Sequence, residues 1–173
     1  MKKKPQDRTA EELFDSVLWF EWIMATTMGW LIGSLLFAGL AFLISGYVVA
    51  LSQFFVLNQH IHKAWRWIIA SGLGWTAGWF VSYLLVPKEL DVLSSLVLGL
   101  ALGVAQWWIL RKEFAWAGWW IPLSILGWTA GISLLPGIFS TGALAGAVPG
   151  AALALLVRHP KLGAMLEQSG QSA

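Results

Sequence analysis

The chain has 173 residues, of which 58% are hydrophobic and 12% charged. That is about half the roughly 25% charged share of an ordinary soluble domain, so a water-facing globule could not cover its apolar side chains. It contains no cysteine, which excludes disulfides, thiolate catalysis and Cys-ligated metal centres, and a net charge of +2 with basic residues confined to short turns excludes a nucleic-acid surface.

Taken in chain order, residues 1–16 read as a cytoplasmic tail with an amphipathic start. The polar residues 1–8 precede a capping box at Thr9-Ala10-Glu11-Glu12, in which Thr9 and Glu12 satisfy each other's backbone donors. Leu13, Phe14, Val17 and Leu18 would rest on the membrane surface. No small-residue cleavage site follows the first apolar run, so the first helix is expected to stay as a signal anchor.

Apolar runs at 17–38, 40–57, 65–86, 92–110, 116–135 and 141–157 predict six transmembrane helices, several near the lower limit of roughly 17–25 residues. They make one transmembrane domain over 17–158, followed by a cytoplasmic tail at 159–173. Residues 17–57 carry almost no polar break and are split at about 38–44. The basic clusters Lys2/Lys3/Lys4/Arg8, His60/His62/Lys63/Arg66, Arg111/Lys112 and Arg158/His159/Lys161 then all fall on one side. By the positive-inside rule both termini are cytoplasmic, and the expected location is the cell inner membrane, with a thylakoid membrane as the alternative. The 13 tryptophans suit a bilayer, where the indole favours the boundary with water.

An internal repeat organises these runs. The stretches beginning at Trp22, Trp67 and Trp120 agree at Trp, Ile, Ser/Thr, Gly, Trp and Gly, and each contains GWxxG: Gly29 and Gly33, Gly74 and Gly78, Gly127 and Gly131. A second block begins at Gly46, Gly99 and Gly146. Gly46/Ala50/Gln53/Leu57 matches Gly99/Gly103/Gln106/Leu110 and, less well, Gly146/Gly150/Leu153/Val157, where the third copy has lost its Gln. The repeats cover about 19–58, 64–111 and 117–158, and the interval between blocks, longest from Gly74 to Gly99, predicts a long outer loop in the middle copy.

At 100° per residue, Trp22, Thr26, Gly29 and Gly33 lie within about 60° on one helix face, as do Gly46, Ala50, Gln53 and Leu57 on the partner. In lipid, close packing of small residues and interhelical hydrogen bonds must pair helices. The fold class expected is therefore all-α, three repeated helical hairpins around a pseudo-threefold axis along the membrane normal, as in parallel-repeat architectures.

The candidate site is a polar layer of Thr26, Gln53, Ser71, Gln106 and Ser124, roughly 6–8 Å below the cytoplasmic helix ends at 1.5 Å per residue. It reads first as hydrogen-bonding glue, with Gln53 meeting Ser71, and second as a place for a small polar ligand or lipid headgroup. Glu21 reads as a snorkelling interface residue paired with Lys63 or Arg66. His60, His62 and His159 lie in turns with no acid or Cys to complete a metal site, and no HExxH, GxSxG or phosphate-binding loop occurs. No catalytic residue, metal or cofactor is expected. Trp107, Trp108, Trp116, Trp119 and Trp120 bracket Arg111-Lys112-Glu113 as an interfacial anchor.

The stretch Gln106-Trp107-Trp108-Ile109-Leu110-Arg111, followed by Trp119-Trp120 and Gly127-Trp128, resembles a pattern in small, mostly uncharacterised multi-pass membrane proteins of bacteria, photosynthetic ones included. The resemblance spans residues 19–158 and implies a bacterial inner-membrane protein, with no activity attached. The expected function is a non-enzymatic scaffold or accessory subunit, its partners being the bilayer and membrane proteins or further copies of itself. A small-solute or lipid channel or carrier with the polar layer near its cytoplasmic side is the alternative, and a pigment or quinone binder the third.

Overall fold

The computed structural model of the protein describes residues 15–36 and 41–161. The Thr9–Glu12 capping box and most of the C-terminal tail lie outside the described residues. Among these residues the chain is helical without strands: α1 Ser16–Leu36, α2 Ala41–Leu57, α3 Trp65–Leu85, α4 Asp91–Glu113, α5 Trp120–Thr129 and α6 Ile138–Leu156. A 3-10 turn at Ala117–Trp119 leads into α5, and a π-helical turn at Ala130–Leu134 continues it. The helices α3, α4 and α6 are long and apolar enough to cross a membrane.

Local chemistry explains the helix ends. Asp15 accepts the Leu18 N–H through Oδ1 at 3.0 Å, capping α1. Asp91 stands in the first turn of α4, and Arg111 and Lys112 in its last, where each charge complements the helix dipole. Val86, which precedes Pro87, is extended (φ −99°, ψ 124°) and stops α3, because the proline ring disfavours helical geometry in the residue before it. The connection between α3 and α4 is consequently short. The extra length of the middle copy lies in both of its helices, α3 running on to Leu85 and α4 starting already at Asp91, and the long outer loop expected there is replaced by helix.

Each helix packs on its neighbours in the chain, and α1 packs on α6, closing a ring. Glycines permit these contacts. Within the hairpins, a Cβ at Gly33 would lie 2.7 Å from Ser45 Cα, one at Gly78 3.0 Å from Leu98 Cα, and one at Gly131 2.6 Å from the Thr141 carbonyl oxygen. Between hairpins the second-block glycines face the following helix. Gly46 abuts the Trp75 ring, a Cβ at Gly99 would lie 2.8 Å from Ile125 Cα, and one at Gly142 2.7 Å from Thr27 Cα.

These contacts set the third hairpin one helical turn earlier than residue matching does. Gly103 packs on Ile121 and Ser124 of α5, and Gly146 packs on Ile23 and Thr26 of α1. Gly142, Gly146, Pro149 and Leu153 therefore occupy the places of Gly99, Gly103, Gln106 and Leu110. The residue standing where the other hairpins carry Gln is Pro149, not Leu153.

The facing sides of the helices are filled by tryptophan. Trp22, Trp67 and Trp120 meet edge to face at centroid separations of 5.6, 5.6 and 5.8 Å, each at most 1% exposed. A second set, Trp30, Trp75 and Trp128, meets at 5.2–6.0 Å. Such pairs contribute about 0.5–1.5 kcal/mol each beyond area burial. Trp116, Trp119 and Trp108 do stand exposed at the rim, but Trp120 is buried, correcting its reading as an anchor.

A methyl group added at a close approach should be costly, while one added in open space should not. Gly142→Ala is expected to destabilise the fold by about 1–3 kcal/mol through overpacking. Gly118→Ala, with nothing within 4 Å of the added Cβ, should leave the melting temperature in mild detergent unchanged.

Candidate functional site

A buried glutamine amide presents two donors and two acceptor lone pairs, and leaving them unmatched costs about 1–3 kcal/mol per group. Gln53 and Gln106 are each 4% exposed, and both match them in the same way. Gln53 Nε2 donates to Thr26 Oγ1 at 2.9 Å, and Trp67 Nε1 donates to Gln53 Oε1 at 3.0 Å. Gln106 Nε2 donates to Ser71 Oγ at 3.0 Å, and Trp120 Nε1 donates to Gln106 Oε1 at 2.9 Å. An indole N–H is only a donor, so it fixes which end of each amide is the oxygen.

The backbone periodicity sets this link up. Thr26 and Ser71 each stand one turn after a core tryptophan of the same helix, and Thr26 Oγ1 donates to the Trp22 carbonyl at 2.8 Å, the usual back-bond of a hydroxyl inside a helix. Each glutamine thus joins the first helix of its own hairpin to the tryptophan opening the next. Gln53 does not bond Ser71 as expected; Ser71 belongs to Gln106.

Thr26, Gln53, Ser71, Gln106 and Ser124 are all buried, and four of the five are joined in these two links. Ser124 is the exception. Its Oγ is buried without a hydrogen-bond partner, and so is Trp22 Nε1. These are the hydroxyl and indole that a glutamine at position 149 would bridge.

Sequence reasoning identified the amides and hydroxyls and placed Trp22 on one helix face with Thr26, but did not pair indoles with amides, because tryptophan was weighed chiefly as an interface residue. The available signal was the recurrence of Trp four residues before Thr26, Ser71 and Ser124 in every repeat, which puts both on one helix face.

A smaller polar group lies where α4 meets the π-helical turn. Ser95 Oγ is 2.8 Å from Ser133 Oγ, and Thr141 Oγ1 donates to the Gly131 carbonyl at 2.8 Å. The π turn is closed by Leu135 N–H on the Ala130 carbonyl at 3.0 Å, and Pro136 has no N–H to offer, so the Gly131 carbonyl is left to accept from Thr141.

At the opposite rim the Arg111 guanidinium lies 3.6 Å from the Trp108 ring centroid and 5.0 Å from that of Trp107, a cation–π arrangement. The segment after α6 is held against the α4–α5 turn, with Ala115 N–H donating to the His159 carbonyl and Lys161 N–H to that of Glu113. Among the described residues Glu21 is exposed and pairs with neither Lys63 nor Arg66; Arg66 instead lies 5.8 Å from the Trp65 ring centroid. His60 and His159, in the turns after α2 and α6, place Nδ1 3.1 and 3.0 Å from the Val56 and Leu155 carbonyls of those helices. No three His, Asp or Glu side chains among the described residues could hold a metal ion.

Neither protein-family models, nor curated proteins, nor solved structures match this chain.

Gln106→Leu should leave the Trp120 indole N–H and the Ser71 hydroxyl unmatched and so destabilise the fold by about 1–3 kcal/mol per orphaned group. Chemical denaturation in detergent should show a lowered midpoint, and in the Gln106→Leu/Trp120→Phe double variant part of the loss should be recovered.

Proposed function

We propose that the chain is a six-helix integral protein of the inner membrane, three hairpins about a pseudo-threefold axis along the membrane normal with both termini cytoplasmic. It acts without catalysis, by association, as a scaffold or accessory subunit of a membrane complex. One observation carries this reading: the two internal amides are matched by the Trp67 and Trp120 indoles and by hydroxyls, while large apolar side chains point outward from every helix. Phe20 on α1, Phe55 on α2, Phe80 on α3, Trp108 on α4, Leu126 on α5 and Phe139 on α6 are each more than half exposed. Such a surface suits lipid and neighbouring helices, and in lipid further association rests on packing of that surface.

The small-solute or lipid channel reading needs an open path where the six helices face one another, and six tryptophans stand there in two sets of three, the rings of each set in contact. It therefore has less support. A bound pigment would be revealed by the absorption spectrum of the purified protein.

The association reading predicts that tagged protein at native expression level, extracted in mild detergent, carries one or more membrane proteins in fixed stoichiometry. Recovery as a monodisperse homomer alone would overturn it. For topology, reporter enzymes active only in the cytoplasm should work when fused after Ala173 or in the 58–64 turn, and fail when fused in the 86–90 connection.

A further inference from the structure

The α6–α1 seam differs from the other two junctions between hairpins in one respect. At position 149 the residue is proline, which carries neither the amide of Gln53 and Gln106 nor a backbone N–H. Its ring ends at Cγ, two bonds short of where a glutamine places its amide oxygen and nitrogen. The missing N–H also deprives the Ala145 carbonyl of its i+4 helical donor. Trp22 Nε1 and Ser124 Oγ, both 0% exposed, are left without partners.

The orientation of Trp22 fits. A Cβ at Gly150 would lie 2.9 Å from Trp22 Cδ1, the ring carbon bonded to Nε1, so this edge of the indole lies against α6 at the residue after Pro149. The hydroxyls of Thr27 and Thr129 are also without partners. They have no counterpart among the glutamine links, whereas Trp22 and Ser124 stand at the two ends of a link that the other hairpins complete.

The geometry points to a binding site at this seam for one neutral oxygen that accepts from Trp22 Nε1–H and hydrogen-bonds Ser124 Oγ. The chemistry is that of an uncharged acceptor, since indole only donates and the buried side chains packed with Trp22 and Ser124 among the described residues are apolar or uncharged. Two sources supply such an oxygen. One is a buried water, which typically makes about three hydrogen bonds to otherwise unmatched groups; the indole and the hydroxyl provide two, and the Ala145 carbonyl, one turn before Pro149, is without its helical donor.

The other source is the ester carbonyl of a bilayer lipid. An apolar groove of about 470 Å³ lies on the third hairpin between α5 and α6, lined by Leu123, Ala152, Leu155 and Leu156 and, at the ends of those helices, by Trp116, Trp119 and His159. Leu123 adjoins Ser124 in sequence, and Ala152 and Leu156 belong to the packed cluster that contains Trp22. An acyl chain in the groove would bring its carbonyl toward this cluster. The lipid source rests on the membrane reading above; the water source does not.

The test uses the full chain, labelled with 15N-tryptophan, in nanodiscs of dimyristoyl phosphatidylcholine carrying 13C at the ester carbonyls. The Trp22 indole resonance is assigned by its loss in Trp22→Phe. An occupied site predicts a Trp22 indole proton shifted downfield, as for Trp67 and Trp120. Water as the source gives a cross-peak to water, and lipid as the source gives dipolar coupling from Nε1 to the labelled carbonyl. An upfield Trp22 resonance, or a downfield one with neither signal, would overturn the proposal.

Pro149→Gln supplies the missing amide from the chain itself. It should abolish the water or lipid signal, keep the Trp22 proton downfield and raise the unfolding temperature. Persistence of the signal in a folded Pro149→Gln protein would also count against the site. If that variant does not fold, the wild-type spectra decide the question.

Discussion

Two helices can approach until their backbones touch only where one of them carries no Cβ, and the bundle depends on that approach. Gly33, Gly78 and Gly131 let the two helices of each hairpin close on Ser45, Leu98 and the Thr141 carbonyl, and Gly99 and Gly142 let successive hairpins close on Ile125 and Thr27. In a lipid-like setting there is little hydrophobic drive between helices, so contact at this range is the main source of dispersion attraction. The other features follow from it. Indoles meet at 5–6 Å across the interior, and an amide on one helix reaches a hydroxyl and an indole on two others.

The glutamine links belong to a second constraint. An amide in an apolar interior is tolerated only when matched, and a matched one defines which helix face stands opposite it. Gln53 and Gln106 each bond one residue of their own hairpin and one of the next. They fix rotation about the helix axis, which the smooth, almost featureless hydrophobicity of these helices leaves unspecified. At the third junction that role falls to packing: Pro149 sits against Gly127, while Gly142, Gly146 and Gly150 lie against α1. The ring therefore has two polar junctions and one made of small residues and a proline.

Several elements were readable from residues alone. The apolar runs and the small-residue faces follow from composition and a period of 3.6, both local properties, whereas the break after α1 follows from the internal repeat, since residues 17–57 carry almost no polar break. The five polar-layer residues were found because an amide or hydroxyl within an apolar run is conspicuous at any register. The partners were not found, since Gln53 is equally placed to meet Ser71 or Thr26 until helix rotation is known. The third repeat was misplaced by one turn for a related reason: glycines at Gly142, Gly146 and Gly150 recur every four residues, so the match can slide along the helix without losing identity.

The sequence by itself determined that this protein is helical, rich in close-packing glycine faces and built from apolar segments joined by basic turns, because composition and periodicity act within single helices. Only the tertiary structure decided which tryptophans are interior. An indole suits a membrane boundary and a packed core equally well, and neighbours distant in sequence settle the choice for Trp22, Trp67 and Trp120. Tertiary packing also decided that Pro149 stands in the glutamine position, leaving Trp22 and Ser124 unmatched, since that correspondence is a matter of which backbones touch.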